Sequence, residues 1–236
     1  MSDGEIYRDN TYLQANPDWH EGDADWKAGK VAELLERNGV RPSTIADVGC
    51  GTGGVLRALA ADGIGTAWTG WDISPQAHEI AVANATGGVD FRLGDISETD
   101  ERFDLVMALD VFEHVDDYLG FLRNLAGRST HTVFHIPLDM TALSVARSTP
   151  MLRNRERIGH IHYFSKDTAL ATLADTGFQV VDTMYTGVGI DGGGLSLKRK
   201  VLRLPRQMLF RVDQDLAARV LGGWSLMVLA TSDPGV

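Results

Sequence analysis

The stretch Thr44-Ile45-Ala46-Asp47-Val48-Gly49-Cys50-Gly51-Thr52-Gly53-Gly54-Val55-Leu56 constrains this chain more than any other. An apolar run ends in a glycine-dense turn, and a helical pattern follows through Leu56, Leu59 and Ala60. This is the strand–loop–helix opening of a nucleotide-binding α/β unit. Glycines let backbone N–H groups approach a ligand and permit positive φ in the turn. The helix N-terminus beyond favours negative charge or lone pairs. Gly49, Gly51 and Gly54 fit G-x-G-x-x-G, while Gly49, Gly51 and Gly53 fit G-x-G-x-G, so the glycines alone leave the ligand open. Asp47, two residues before the first glycine, places a carboxylate at the strand end, within reach of the ligand crevice.

With Asp47 included, the stretch closely resembles motif I, D-x-G-x-G-x-G, of class I S-adenosylmethionine (SAM) methyltransferases. The resemblance implies that Gly49, Cys50, Gly51 and Gly53 shape the SAM loop and that Asp47 lies near the methionine end. It extends over about residues 40 to 230.

The 236 residues suit one α/β domain, and 44% hydrophobic with 23% charged residues is ordinary for a globular protein. No apolar run reaches the ~18 residues of a membrane span. The acidic, polar start Met1-Ser2-Asp3-Gly4-Glu5 reads as no signal peptide. A single cysteine excludes an intrachain disulfide and fits a cytoplasmic protein. Cys50 reads as a small loop residue rather than a nucleophile. A net charge of −10 argues against nucleic-acid binding. Basic residues nevertheless cluster at 198–211 and at Arg147, Arg153, Arg155 and Arg157. These clusters read three ways: a grip on an anionic acceptor, a peripheral contact with an anionic membrane through 198–211, or a solvated face. Oligomeric state is not legible.

Along the chain, a capped helix runs from Asp23 or Asp25 to about Arg37, with Val31, Leu34 and Leu35 as its stripe. Strands are expected at about 44–48, 67–71, 89–93, 103–109, 132–136, 178–185 and 225–230. The second ends at Asp72-Ile73, where a carboxylate is positioned for both ribose hydroxyls of an adenosine. The third ends at Gly94-Asp95-Ile96, resembling the family segment that borders adenine. Asp72 also reads as a helix cap and Asp95 as a turn residue, but three acids at successive strand ends make the joint coincidence implausible. Residues 138–162 are expected as a long Arg-rich connection. His160 to Phe178 resembles the H-x-H-x-F-[ST]…G-F segment of methyltransferases acting on small molecules and saccharides.

The resemblance implies a Rossmann-like seven-stranded mixed sheet of order 3-2-1-4-5-7-6, with helices on both faces, in a single domain 1–236. Within it, 1–40 form an N-terminal cap helix region, 41–137 the SAM-binding half and 138–236 the acceptor half. Covers are expected at 138–162 and 187–215. Tyr12, Trp19 and His20 are expected to close the N-terminal side. The implied activity is SAM-dependent O-methylation of a small molecule or saccharide, anionic or lipid-linked acceptors included. The rivals are a Rossmann-type NAD-dependent oxidoreductase and a non-catalytic SAM-binding protein.

An oxygen nucleophile of high pKa needs its proton removed. His114 is the first candidate base, with a free pKa of ~6.5, and Asp110 and Val111 are expected to line the pocket or transfer site. His114 reads equally as the start of a helix. Asp110, Glu113, His114 and His162 resemble the E-x-x-E-H…H metal set of small-RNA 3′-end methyltransferases, with Asp110 one methylene short; the resemblance alone assigns no metal. His160 and His135 are alternatives, and His135, inside an apolar strand, reads as a hydrogen-bonded wall residue.

Overall fold

The computed structural model describes residues 21–187 and 206–232. Tyr12, Trp19, His20 and the basic residues 198–203 lie outside that range.

Helix α1 (Ala24–Arg37) buries Ala24, Ala28, Val31, Leu34 and Leu35 along one face, the spacing of an amphipathic helix. Strand β1 (Thr44–Val48) leads through the glycine turn to α2 (Gly54–Ala61). Strand β2 (Ala67–Asp72) is followed by α3 (Pro75–Ala83), whose Ser74 side chain accepts from the Ala77 amide and whose Pro75 sits in the first turn. Then come β3 (Asp90–Leu93), β4 (Phe103–Leu109), a 3₁₀ turn Phe112–His114, α4 (Tyr118–Leu125) and β5 (Ser129–Pro137).

Residues 138–162 are the long Arg-rich connection expected between β5 and the next helix, and it is helical in part. They hold α5 (Ala142–Arg147) and α6 (Thr149–Ile158). Thr141 and Ser144 form a capping box that starts α5. Helix α6 buries no residue, so it carries no apolar stripe to betray it. Helix α7 (Lys166–Asp175), β6 (Phe178–Thr186), α8 (206–212), α9 (Gln214–Leu221) and β7 (Ser225–Ser232) complete the chain.

The sheet order is β3-β2-β1-β4-β5-β7-β6, with β7 antiparallel to both neighbours and the other pairings parallel. The expected Rossmann-like order is the one observed. Alternation along β4 splits the core between the two faces of the sheet. Val106 and Ala108 join Phe112, Phe134 and Leu122 on one face, and Leu105, Met107 and Leu109 join Leu34, Leu56 and Leu59 on the other. With both faces covered, the open ground for a ligand is the carboxyl edge of the parallel strands. No helix among the described residues is long and apolar enough to cross a membrane.

Candidate active site

A crevice of about 920 Å³ opens at that edge. Asp47, Gly49, Cys50, Gly51, Asp72, Ile73, Asp95, Asp110, Val111 and His114 all line it, although they come from four different strand ends. Gly53 and Ile96 do not. Ile96 is buried in the core, and Gly53 caps α2 with φ +78°.

The glycine loop is held by the neighbouring strand end. The Trp71 carbonyl accepts from the Gly49 and Cys50 amides at 2.8 and 3.1 Å. Asp72 accepts from the Gly51 amide and the Ser74 amide, both at 2.8 Å. Burial raises the Asp72 pKa against the pull of these hydrogen bonds. One carboxylate thus fixes the loop and faces the crevice. Burial also pushes the Cys50 thiol well above its usual range, which suits a packing residue and not a nucleophile. Asp95 accepts from the Ser97 amide at 2.7 Å, capping a 3₁₀ turn while lining the crevice, so the turn role read from the sequence and the wall position coexist.

Gly53 has a steric reason to be glycine. A Cβ there would stand 2.2 Å from Cζ of Phe91, in a left-handed conformation. Gly53→Ala is expected to cost about 2–5 kcal/mol from strain and overpacking combined. Gly63, with φ +72° but open space around it, should cost only the conformational part, about 1–2 kcal/mol on Gly63→Ala. Urea midpoints of the two variants check this; equal losses would refute the clash.

Asp47 is buried, and its Oδ1 has no hydrogen-bond partner. Burial, aided by Asp72 and opposed by Lys27, raises its pKa to about 7. Buried polar atoms are nearly always satisfied, so this oxygen, on the crevice wall, marks a place for a ligand donor.

Beyond β4 the backbone turns sharply: Asp110 has φ +58°. Its two oxygens meet Lys27 Nζ and His135 Nδ1, each at 2.7 Å, and His135 Nε2 meets Thr186 Oγ1 at 2.7 Å. Burial would raise the Asp110 pKa, but His135 and Lys27 outweigh it and hold the carboxyl well below its usual range. In return, Asp110 overcomes the burial penalty on Lys27 and raises that ammonium's pKa. His135 is therefore the hydrogen-bonded wall residue the sequence suggested. Lys27 escapes a reading of the sequence, although it falls on the same helical face as Ala24 and Val31, an unusual place for a lysine.

His114 is largely buried, and its Nδ1 lies 3.0 Å from the Gly159 carbonyl. Burial first, then His160, depresses its pKa to about 4. It is thus neutral near pH 7 but a weak base. The metal set suggested by resemblance is not assembled as drawn. Asp110 is engaged by Lys27 and His135, and His162 Nε2 meets the Val115 carbonyl at 2.9 Å. Glu113, His114 and His160 converge instead, with donor atoms within 4.8 Å of one another.

A doubly wound sheet carrying a glycine loop and acids at three successive strand ends defines a class I SAM-dependent methyltransferase domain. A family model described as "Methyltransferase domain" matches residues 19–183, more than half of the chain, and the chain belongs to that family. Among curated relatives, a ubiquinone biosynthesis O-methyltransferase of Methylobacterium sp. is 38% identical over 86 residues, 34% of each chain. The chain spans about a third of the length of the curated relatives it matches. Magnesium protoporphyrin IX methyltransferase of Synechocystis, solved with bound SAH, is similar in fold with a TM-score of 0.60 at 19% identity, covering 89% of this chain and 83% of that one. A chain in the complex of the Haloferax volcanii Trm112 methyltransferase activator with a methyltransferase reaches 0.67 at 20% identity, over 96% and 97%.

Proposed function

We propose that this protein transfers the methyl group of SAM to an oxygen of a small molecule or saccharide. The observation that carries the reading is the buried, unpartnered Asp47 oxygen on the crevice wall. It is a fitting partner for the ammonium of the methionine part. Asp72 would hold the ribose, and Asp95 and the backbone beside Ile96 would border the adenine. Val111 packs over Gly49, where a Cβ would come within 2.8 Å of Val111 Cγ2, so the loop and the β4 turn close on one another.

SAM supplies a methyl group already activated on a sulfonium, so the protein's main work is positioning and exclusion of water. The chain provides this with α1, the glycine loop and the β4 turn. Asp110 stays ionised and cannot take the acceptor's proton; it positions Lys27 and His135. His114 faces the crevice and is the side chain we assign to the acceptor's hydroxyl proton. Its low basicity favours an acidic hydroxyl over an unactivated alcohol. Relatives named for O-methylation support the oxygen acceptor. Anionic or lipid-linked acceptors fit as well, because α8 exposes Met208 and Val212 beside Arg211.

Calorimetry tests the reading. S-adenosylhomocysteine (SAH) is expected to bind the full chain at micromolar or tighter concentration and NAD is not. The reverse would replace the reading with a dinucleotide oxidoreductase, against which the absence of a Tyr-x-x-x-Lys pair already speaks. Asp72→Ala should weaken SAH by at least about 1 kcal/mol through lost ribose hydrogen bonds and a loosened Gly51; unchanged affinity would remove the ribose assignment. Binding of SAM without methyl transfer to any pooled acceptor would instead favour a non-catalytic role.

A further inference from the structure

We propose that the corner between α5, α6, α8 and the α9–β7 turn is a binding site for a small organic acid, whose carboxylate or phosphate is held by Arg147 and Arg206. The site stands apart from the SAM crevice. It rests on the methyltransferase reading only for where its ligand would come from.

A second cavity of about 190 Å³ lies in that corner. Arg147, Asn154 and Arg206 line it together with apolar Leu143, Met151 and Leu221. Thr141 and Ser144 also face it, but their hydroxyls are engaged in the capping box of α5. The charge of the cavity is out of keeping with the chain. The protein carries a net charge of −10, yet among the described residues this cavity sets two guanidinium groups against one carboxylate, Asp139. Oδ2 of that carboxylate already meets His160 Nδ1 at 2.6 Å. A guanidinium stays charged at every relevant pH, and its planar fork of donors fits a carboxylate or phosphate. The apolar walls fit a short organic stem and give a bare inorganic ion nothing.

The backbone is arranged to make the corner. Ser148, the hinge between α5 and α6, has φ +54°, an uncommon value for a residue other than glycine. There the chain folds back, so Arg147 in the last turn of α5 and Met151 and Asn154 in the first turns of α6 face one space. Strain of this kind gathers at ligand sites. The other non-glycine residue of positive φ among those described, Asp110, lines the SAM crevice. On the facing wall, Gly222 brings the chain close to the start of α5: a Cβ there would stand 2.9 Å from Thr141 Cγ2. A Cβ on Gly223 would stand 3.5 Å from Arg206 Nη1, so the guanidinium lies against bare backbone. Arg206 Nη2 donates to the Leu221 carbonyl at 3.0 Å, which fixes the fork to the wall. A side chain already fixed loses less freedom when it takes a ligand.

The test titrates the full chain with butyrate, butyl phosphate, inorganic phosphate and butylamine, read by NMR chemical shifts, with SAH binding measured on each sample. Butyrate or butyl phosphate is expected to bind one per chain at millimolar concentration or tighter. Inorganic phosphate should bind at least about tenfold more weakly than butyl phosphate, because it has no stem to bury, and butylamine should not bind. Arg147 is exposed, so Arg147→Glu should leave the fold intact and weaken the acid at least about tenfold. Arg206→Lys keeps the charge but loses the fork, and should weaken it severalfold. Arg153→Glu, also exposed on α6 but outside the cavity, is the control and should change affinity by no more than about twofold. Methyl transfer to a pool of acidic hydroxyl compounds, with and without butyl phosphate, identifies the source of the acid. Inhibition makes the cavity the acceptor's acidic subsite, and unchanged transfer makes it the site of a separate acid. No binding of either organic acid at millimolar concentration, by a chain that binds SAH, overturns the site and leaves the methyltransferase reading intact. So does binding that inorganic phosphate or butylamine matches, that survives both cavity substitutions, or that Arg153→Glu weakens as much as Arg147→Glu. A chain that holds the acid but fails to bind SAH counts against the methyltransferase reading instead.

Discussion

Asp47→Asn is expected to lose SAH affinity at least tenfold and, at the same time, to make the protein more stable at pH 8. Both effects come from one carboxylate. Its folded pKa is about 7, against an ordinary value of 3.8, because burial outweighs the attraction of Lys27. Between those values the folded state binds more protons than the unfolded one. Stability therefore falls as pH rises from about 4 to 7, by up to about 4 kcal/mol at ~1.4 kcal/mol per pKa unit. Asn carries no charge to desolvate, so the variant should lose that slope and gain about 2–4 kcal/mol at pH 8. Ligand affinity should run the other way. The ionised form attracts the ligand ammonium, so SAH binding to the unaltered chain should strengthen about tenfold per pH unit below 7 and level off above. The variant should show no such slope. Thermal melts and SAH calorimetry at pH 5.5, 6.5 and 8 check the two arms together. A variant as tight for SAH as the parent would detach Asp47 from the ligand, and a variant less stable at pH 8 would contradict the burial penalty. A site residue that costs stability is the expected trade between a preorganised site and a stable fold.

The residues differ in how openly the sequence announces them. The loop from Asp47 to Gly53 was legible because strand, glycines and acid lie within seven positions. Strands β1 and β4 were legible because parallel strands buried on both faces read as apolar runs. Helix α6 was not, because nothing on it is buried and its boundaries are set by Ser148 and Gly159. The Lys27–Asp110 pair spans 83 positions and leaves only an oddly placed lysine as a trace. The choice between His160 and His162 depends on which imidazole the Glu113 carbonyl turns inward, and alternation in a short non-helical segment cannot decide that. Close-range chemistry was readable; contacts between distant elements needed the fold.

Asp110→Ala is expected to destabilise the fold by about 3–5 kcal/mol, chiefly by leaving Lys27 without its buried counter-ion. Lys27 Nζ and His135 Nδ1 both end on Asp110 at 2.7 Å, so removing the carboxylate strands two groups at once. Alanine must also adopt φ near +58°, a conformation that costs roughly 1–2 kcal/mol. Asp110→Asn separates the two contributions. Asparagine tolerates the left-handed turn and keeps a hydrogen-bonding oxygen, so it should lose about 2–3 kcal/mol, the part due to charge. Lys27→Met should be strongly destabilising in the parent but nearly neutral once Asp110 is Asn, because no buried ion is then left to strand. The coupling energy should exceed about 0.5 kcal/mol, the range within which independent sites add. The pH behaviour sets this network apart from Asp47. The lowered Asp110 pKa gives stability present above the usual carboxylate range and lost only as pH falls into strong acid. The raised Lys27 pKa gives stability present below about 10.5 and lost above it. The pair's contribution should therefore be flat from about pH 5 to 9, across the window in which Asp47 makes stability slope. Additive single and double variants, or a pair contribution that changes across that range, would show that Lys27 and Asp110 do not act as one ion pair. If the coupling holds, α1 is tied through Lys27 to the turn that presents Val111 and the 3₁₀ segment to the crevice, and loss of Lys27, which itself lines the crevice, should loosen SAH binding.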